Sequence, residues 1–325
     1  MSYIEAIKDG FRVVHRNWQL VLIQLGMVVI NLIGFFIIVG IPLAITFIIF
    51  GIDLTGLTGI KDIFRILKEP SEIISRYFGL LLIVIVSFLL YIIAAAIFGI
   101  YIFGGSAGVI GRSIGDRTLK FSMHTFFDEA RRLFLHILGF TAIIGIILIA
   151  AAFVLGILGG SITALISFAR SLDSTLALFF GTFLSLILVI VALTLIFGTL
   201  SVTMYGVATL FFKGISPVKS LREAVHYLVR HPNAFWLYTI LFAGYVVASF
   251  FLILLSYSFK LIPVIGTIIS FPYQLISYVF QTYLGLAIIA ITFTYYYSTE
   301  IHIEPVIESS ILQLPVQDET TIQDS

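Results

Sequence analysis

One pattern occurs three times along the chain: a charged amphipathic stretch that runs directly into a pair of long apolar segments. The stretches are residues 4–16, 123–137 and 218–230. The first and third superimpose at one constant offset. Ile4, Ile7, Phe11 and Val14 answer Val218, Leu221, Val225 and Leu228, and on the other face Lys8, Asp9, Gly10, Arg12 and Arg16 answer Arg222, Glu223, Ala224, His226 and Arg230. In the middle copy Glu129, Ala130, Arg132 and His136 keep the pattern, but Arg131 and His124 stand where the others are apolar. Its stripe is better drawn through Met123, Phe127, Ala130, Phe134 and Ile137. A recurrence this regular implies three similar structural units before any motif is consulted.

The apolar segments belong in a bilayer. Sixty per cent of the 325 residues are hydrophobic and 11% are charged, against about 25% charged in soluble domains. We read six spans, at about 18–41, 78–103, 138–158, 176–197, 235–257 and 271–297, each near or above the roughly 20 residues that cross the hydrocarbon core. The second and fourth apolar runs continue to about Ile110 and Phe212, so those helices must tilt, bend or project, with Gly99, Gly104, Gly105, Gly108, Gly198 and Gly206 as expected sites of bending or close packing. A net charge of +1 gives no electrostatic case for nucleic acid. The absence of cysteine removes disulfides, thiolate metal sites and cysteine nucleophiles. No signal-peptide pattern is seen at the N-terminus. The absence of glycosylation sequons and the isoleucine-rich composition point to a prokaryotic source.

Orientation follows from the bases. If the N-terminus is inside, the inner segments hold Lys8, Arg12, Arg16, Arg112, Arg117, Lys120, Arg131, Arg132, Lys213, Lys219, Arg222 and Arg230, which is 12 of the 18 Lys and Arg. The positive-inside rule then puts both termini in the cytoplasm of a multi-pass plasma-membrane protein. Trp18 and Trp236, each where an amphipathic stretch meets its span, suit the headgroup level. The outer segment 51–77 carries a possible short amphipathic helix at 60–67, stopped by Pro70, that would cover helix ends. The segment 298–325 holds six acidic residues and no Lys or Arg and reads as a disordered cytoplasmic tail.

No motif here carries catalysis. Gly104-Gly105-Ser106-Ala107-Gly108 matches the G-x-S-x-G elbow, but it ends an apolar helix, and the spans contain no His, Lys, Asp or Glu to act as base. Gly104, Gly108, Gly111 and Gly115 instead read as small-residue helix packing. His15, His124, His136, His226, His231 and His302 form no metal-ligand pattern, so neither a metal nor another cofactor is expected. Asp9, Glu129 and Glu223 recur, with Arg16, His136 and Arg230 seven positions on; pairing between neighbouring copies would make a cytoplasmic collar. Spans without ionisable groups argue against ion-coupled transport of a charged solute.

The order of interfacial helix, hairpin and basic-glycine turn, carried by 115–130 (GDRTLKFSMHTFFDEA), 213–224 (KGISPVKSLREA) and 230–236 (RHPNAFW), resembles a loose group of six-span prokaryotic membrane proteins. That group includes the membrane domain fused to some glycerophosphodiesterases. The resemblance implies a fold and no activity.

The expected fold is therefore an all-α integral membrane protein, six transmembrane helices arranged as three parallel-topology hairpins, each preceded by a cytoplasmic interfacial amphipathic helix. Residues 1–297 would form one membrane domain, with repeat units at about 1–111, 112–212 and 213–297. The leading functional expectation is a non-enzymatic component that organises lipid or binds a membrane protein partner. A permease or lipid-handling channel for a neutral or lipidic substrate is second, and an intramembrane enzyme third.

Overall fold

The computed structural model describes residues 1–55, 70–260 and 265–301. All regular elements among the described residues are helices: α1 (Tyr3–Arg16), α2 (Gln19–Phe35), a π-helical turn (Phe36–Gly40), α3 (Ile41–Thr55), α4 (Pro70–Gly115), α5 (Met123–Leu172), α6 (Ser174–Lys213), α7 (Pro217–Arg230), α8 (Pro232–Lys260), α9 (Ile265–Tyr296) and a final π-helical turn (Tyr297–Ile301). Six helical segments among them are long and apolar enough to cross a membrane. The chain is an all-α polytopic membrane protein. The expected short helix at 60–67 and nearly all of the acidic tail lie outside the described residues.

Local chemistry sets the boundaries. Ser2 opens α1 with a reciprocal capping box: its hydroxyl accepts from the Glu5 N–H at 3.3 Å, and the Glu5 carboxylate accepts from the Ser2 N–H at 2.9 Å. The Ser2 backbone N–H, then its hydroxyl, hold the Glu5 carboxyl below its ordinary value. At the other end Asn17 Nδ2 donates to the Val13 carbonyl at 2.8 Å, and the chain turns into α2. Pro217 starts α7, and Pro232, which has no N–H to donate, separates α7 from α8. No comparable breaker follows residue 137, so the middle amphipathic stretch is not a separate helix. It is the start of α5, a continuous helix of 50 residues, about 75 Å long at 1.5 Å per residue.

The first span also runs further than expected, to Phe50. Pro42 cannot donate within the helix, and just before it the turn widens, the Ile41 N–H reaching the Phe36 carbonyl. At the far end of α5, Asp173 alone separates it from α6, and its carboxylate accepts from the Thr175 N–H at 2.8 Å. Gly214, at φ 62°, closes α6 in the left-handed conformation.

Burial concentrates at one end of the bundle. The core joins Ala6, Val14 and Leu20 to Ala107 and Ile110, Phe126, Phe140, Tyr205 and Ala208, Ala224, Tyr238, and Leu286 through Tyr296. The C-terminal turns of α4, α6 and α9 meet in the middle, with Phe211 stacked on Phe293 and Tyr296 on Phe212. Three amphipathic segments surround them. α1 lies on the end of α9, the first turns of α5 on the end of α4, and α7 on the end of α6. Towards the opposite end large apolar side chains such as Phe47, Leu89, Ile149, Phe153, Leu178 and Phe251 remain exposed, the surface that the bilayer covers.

The tight end depends on missing side chains. A Cβ on Gly10 would lie 2.7 Å from the Ile291 nitrogen and 2.8 Å from its Cα, both backbone atoms that cannot rotate away. We predict that Gly10→Ala destabilises by about 1–3 kcal/mol, read by thermal unfolding in detergent. Gly26→Ala, where nothing lies within 4 Å, is expected to be neutral or slightly stabilising. Equal tolerance at both positions would show that α1 is not packed on α9.

Candidate functional site

Two features at the packed end carry chemistry: a set of ion pairs within the collar of helix ends, and the outward face of α7.

The central ion pair is set by a close approach. Gly108 brings α4 against Glu129, whose Cγ would be 2.8 Å from an added Cβ, and the Glu129 carboxylate is fully buried. Two cations answer it: Arg112 from the last turn of α4, and Arg132 one turn along α5 at 2.6 Å. Arg132 also lies 5.4 Å from the centre of the Phe211 ring. A carboxylate in this position is tolerable only with such partners.

The corresponding acids make weaker versions. Glu223 is 3.9 Å from Lys213 at the end of α6, and Lys213 is 3.0 Å from Glu300. Asp9 pairs with Arg12 at 2.7 Å and reaches Arg117 at 3.5 Å. Arg16 makes no ion pair among the described residues; it donates to the Ser113 carbonyl at 2.6 Å and to the Arg117 carbonyl, so its charge meets the negative end of the α4 dipole. His136 and Arg230 make no ion pair among the described residues. Thus Asp9, Arg16, Glu129 and Glu223 join the contacts at helix ends, with Arg112, Arg117, Lys213 and Glu300 as partners that the sequence did not single out. Their signal was position: each basic partner lies at or just beyond the C-terminal turn of a long apolar helix.

The packing glycines fall similarly. A Cβ added at Gly104 would lie 3.3 Å from Ile137 and one at Gly105 2.6 Å from Phe126, while at Gly108 and Gly111 it would run into Glu129 and Phe211. A Cβ on Gly115 would meet nothing within 4 Å, because α4 ends there beyond its neighbours. Ser106 is fully buried and its hydroxyl accepts from Gln24 Nε2 at 3.2 Å. Among the described residues no group of three or more metal-ligating side chains comes together.

The buried face of each amphipathic segment is offset from the one hydrophobicity marks but overlaps it: Val14 of α1 is fully buried, and Ile7, Phe11, Leu221 and Leu228 pack partly buried on the core. α7 buries Ser220, Ala224 and Tyr227. The Ser220 hydroxyl donates to the Gly206 carbonyl at 2.6 Å, and Tyr227 packs on Tyr205 with ring centres 5.1 Å apart. Burial pushes the Tyr227 phenol well above its ordinary pKa, so it stays neutral. Leu221 and Leu228 are half-buried, whereas Val218, Val225 and Val229 are 66, 45 and 75% exposed. Beside those valines runs a trough of about 890 Å³ lined also by Lys213, Lys219, Arg222 and His226. In α5 the same offset occurs: Phe126, Glu129 and Leu133 are buried together with Ala130 and Ile137 of the expected stripe, while Met123 and Phe127 face outward.

No family model, curated protein or solved structure matches the chain.

Removing both cations around Glu129 should expose the burial cost. The double substitution Arg112→Met with Arg132→Met is predicted to destabilise by about 3 kcal/mol, and adding Glu129→Gln is predicted to recover most of it. Unfolding in detergent reads both. A triple variant no more stable than the double would mean that the charge on Glu129 is not what the arginines answer.

Proposed function

We propose that this protein is a non-enzymatic, lipid-organising membrane component with both termini in the cytoplasm, built as three parallel-topology hairpins whose amphipathic segments lie at the inner membrane surface. The exposed face of α7 supports this reading most directly. Val218, Val225 and Val229 point away from the bundle beside Lys219 and Arg222, while Glu223 on the same trough is matched by Lys213. An apolar stripe flanked by bases is how a helix seated in the headgroup layer divides between acyl chains and anionic phosphates. Bonding Ser220 to the end of α6 fixes the depth and angle of that stripe. Orientation is supported by the 12 bases of the inner segments, and by α1 and the end of α9 lying together at the collar.

Two measurements test this reading. The chain lacks cysteine, so a single introduced thiol reports its own location. Ser2→Cys should resist an impermeant thiol reagent in intact cells and Ser174→Cys should label; labelling at position 2 would overturn the orientation. For lipid, Lys219→Glu with Arg222→Glu is expected to lower phosphatidylglycerol binding at least about thirtyfold, at roughly 1 kcal/mol per base near a charged surface, and to leave phosphatidylcholine binding unchanged. Binding of phosphatidylglycerol that is indifferent to the double variant would sink the lipid-organising role.

A further inference from the structure

The membrane-spanning part of α9 is polar along one face. Gln274, Ser277, Tyr278, Gln281 and Gly285 recur at spacings of three and four, a stripe about 16 Å long at 1.5 Å per residue. It lines two adjoining hollows that share Tyr278 and Gln281. One, of about 240 Å³, is completed by Ile253 and Ser256 of α8. The other, of about 360 Å³, is completed by Gln24 of α2, Met204 of α6 and Tyr245 of α8. Their sizes approach those of small-molecule sites.

Polar residues inside a membrane have two ordinary uses. One is to bond helices to one another, as Gln24 does through its bond to Ser106 at 3.2 Å, and Tyr273 through its bond to the Leu252 carbonyl at 2.5 Å. Within the stripe, among the described residues, only Tyr278 serves that use, its hydroxyl donating to the Gln24 carbonyl at 3.4 Å. Among the described residues the side-chain amides of Gln274 and Gln281 bond to no protein group, and the Ser277 hydroxyl is buried without a partner. In hydrocarbon, unspent amides and hydroxyls are costly. The second use is to receive a polar guest, and the lining says which kind. Every polar group in both hollows is neutral, and the amides and hydroxyls can donate as well as accept. A charged guest would be buried with no counter-ion; a guest rich in hydroxyls would find partners in either sense. Beside the stripe Leu275, Ile276, Val279, Phe280 and Ile253 remain exposed and give a path for acyl chains.

We propose that the α9 stripe is a binding site for an uncharged amphiphile with a polyhydroxylated head, the chemistry of a glycosyl diacylglycerol. The head occupies the hollows shared by Tyr278 and Gln281, and the tails lie along the apolar flank. The proposal is independent of the collar and of the phosphate-facing bases of α7. A second helix is a poor occupant, because helix partners need a flat surface of small residues and this one is concave.

Native mass spectrometry on the full chain in an amine-oxide detergent tests it, with glucosyl diacylglycerol, diacylglycerol and phosphatidic acid of identical acyl chains as probes. Glucosyl diacylglycerol is expected to bind at least tenfold tighter than either of the others, and Gln281→Leu to weaken it about tenfold. Gln274→Leu, at an exposed position, is expected to act the same way and stands in should Gln281→Leu not fold. Phe153→Leu, on the exposed apolar face of α5 away from both hollows, is the control and is expected to change binding less than twofold. Lys219→Glu with Arg222→Glu should leave glucosyl diacylglycerol binding intact, which separates this site from the α7 surface. Equal binding of phosphatidic acid, indifference to both glutamine substitutions, or a dimer that excludes lipid would each overturn the proposal.

Discussion

The collar depends on helix ends meeting without side chains between them. In lipid, apolar groups gain little by leaving one another's company for a protein interior, so helices associate through van der Waals contact and need close approach. Gly10 against the backbone of Ile291, Gly108 against Glu129, Gly111 against Phe211 and Gly206 against Phe140 supply that approach at one end of the bundle. The polar contacts there follow from it. Glu129 is buried because Gly108 lets α5 come so near, and Arg112 and Arg132 are the response. Without the close approach the carboxylate would be solvated and the arginines would have little to answer.

Packing at one end leaves the other to the bilayer. Beyond the collar the helices present leucine, isoleucine and phenylalanine outward, and lipid satisfies these as well as protein would. The transition is visible on α9. Leu286 through Tyr296 are buried, while Gln274, Ser277, Tyr278, Gln281 and Gly285 line the hollows. Gln24 stands at the boundary, one side of its amide on buried Ser106 and its backbone carbonyl within 3.4 Å of the Tyr278 hydroxyl. A rigid base and a partly open, polar-lined upper region are thus two consequences of one packing asymmetry.

Much of the architecture could be read in the residues, for reasons that are local. Asn17 and Pro232 end helices through their own hydrogen-bonding properties, so the separation of α1 from α2 and of α7 from α8 is legible. The continuity of α5 went the other way: the repeat pattern predicts a separate interfacial helix there, but nothing between His136 and Phe140 interrupts the backbone and one helix runs through. Which face of an amphipathic segment is buried was legible only in part. Hydrophobicity marks Val218 and Val225, yet the bundle takes Ser220, Ala224 and Tyr227, because close packing selects small residues and the membrane surface accepts the valines. The partners of the recurring acids were hidden likewise: Arg112 and Lys213 are unremarkable until helix ends converge.

What the sequence by itself determined is the set of elements: six apolar helices, the amphipathic segments, the caps and breaks between them, and spans empty of formal charge. These follow from solvent preference and backbone chemistry, which act on each segment alone. The tertiary structure decided which helix ends meet, which glycines are contacts and which, like Gly115, face open space, and which polar side chains remain unspent. Those depend on distances between segments remote in the chain. A bilayer that welcomes apolar surface everywhere leaves that choice to shape and hydrogen bonding.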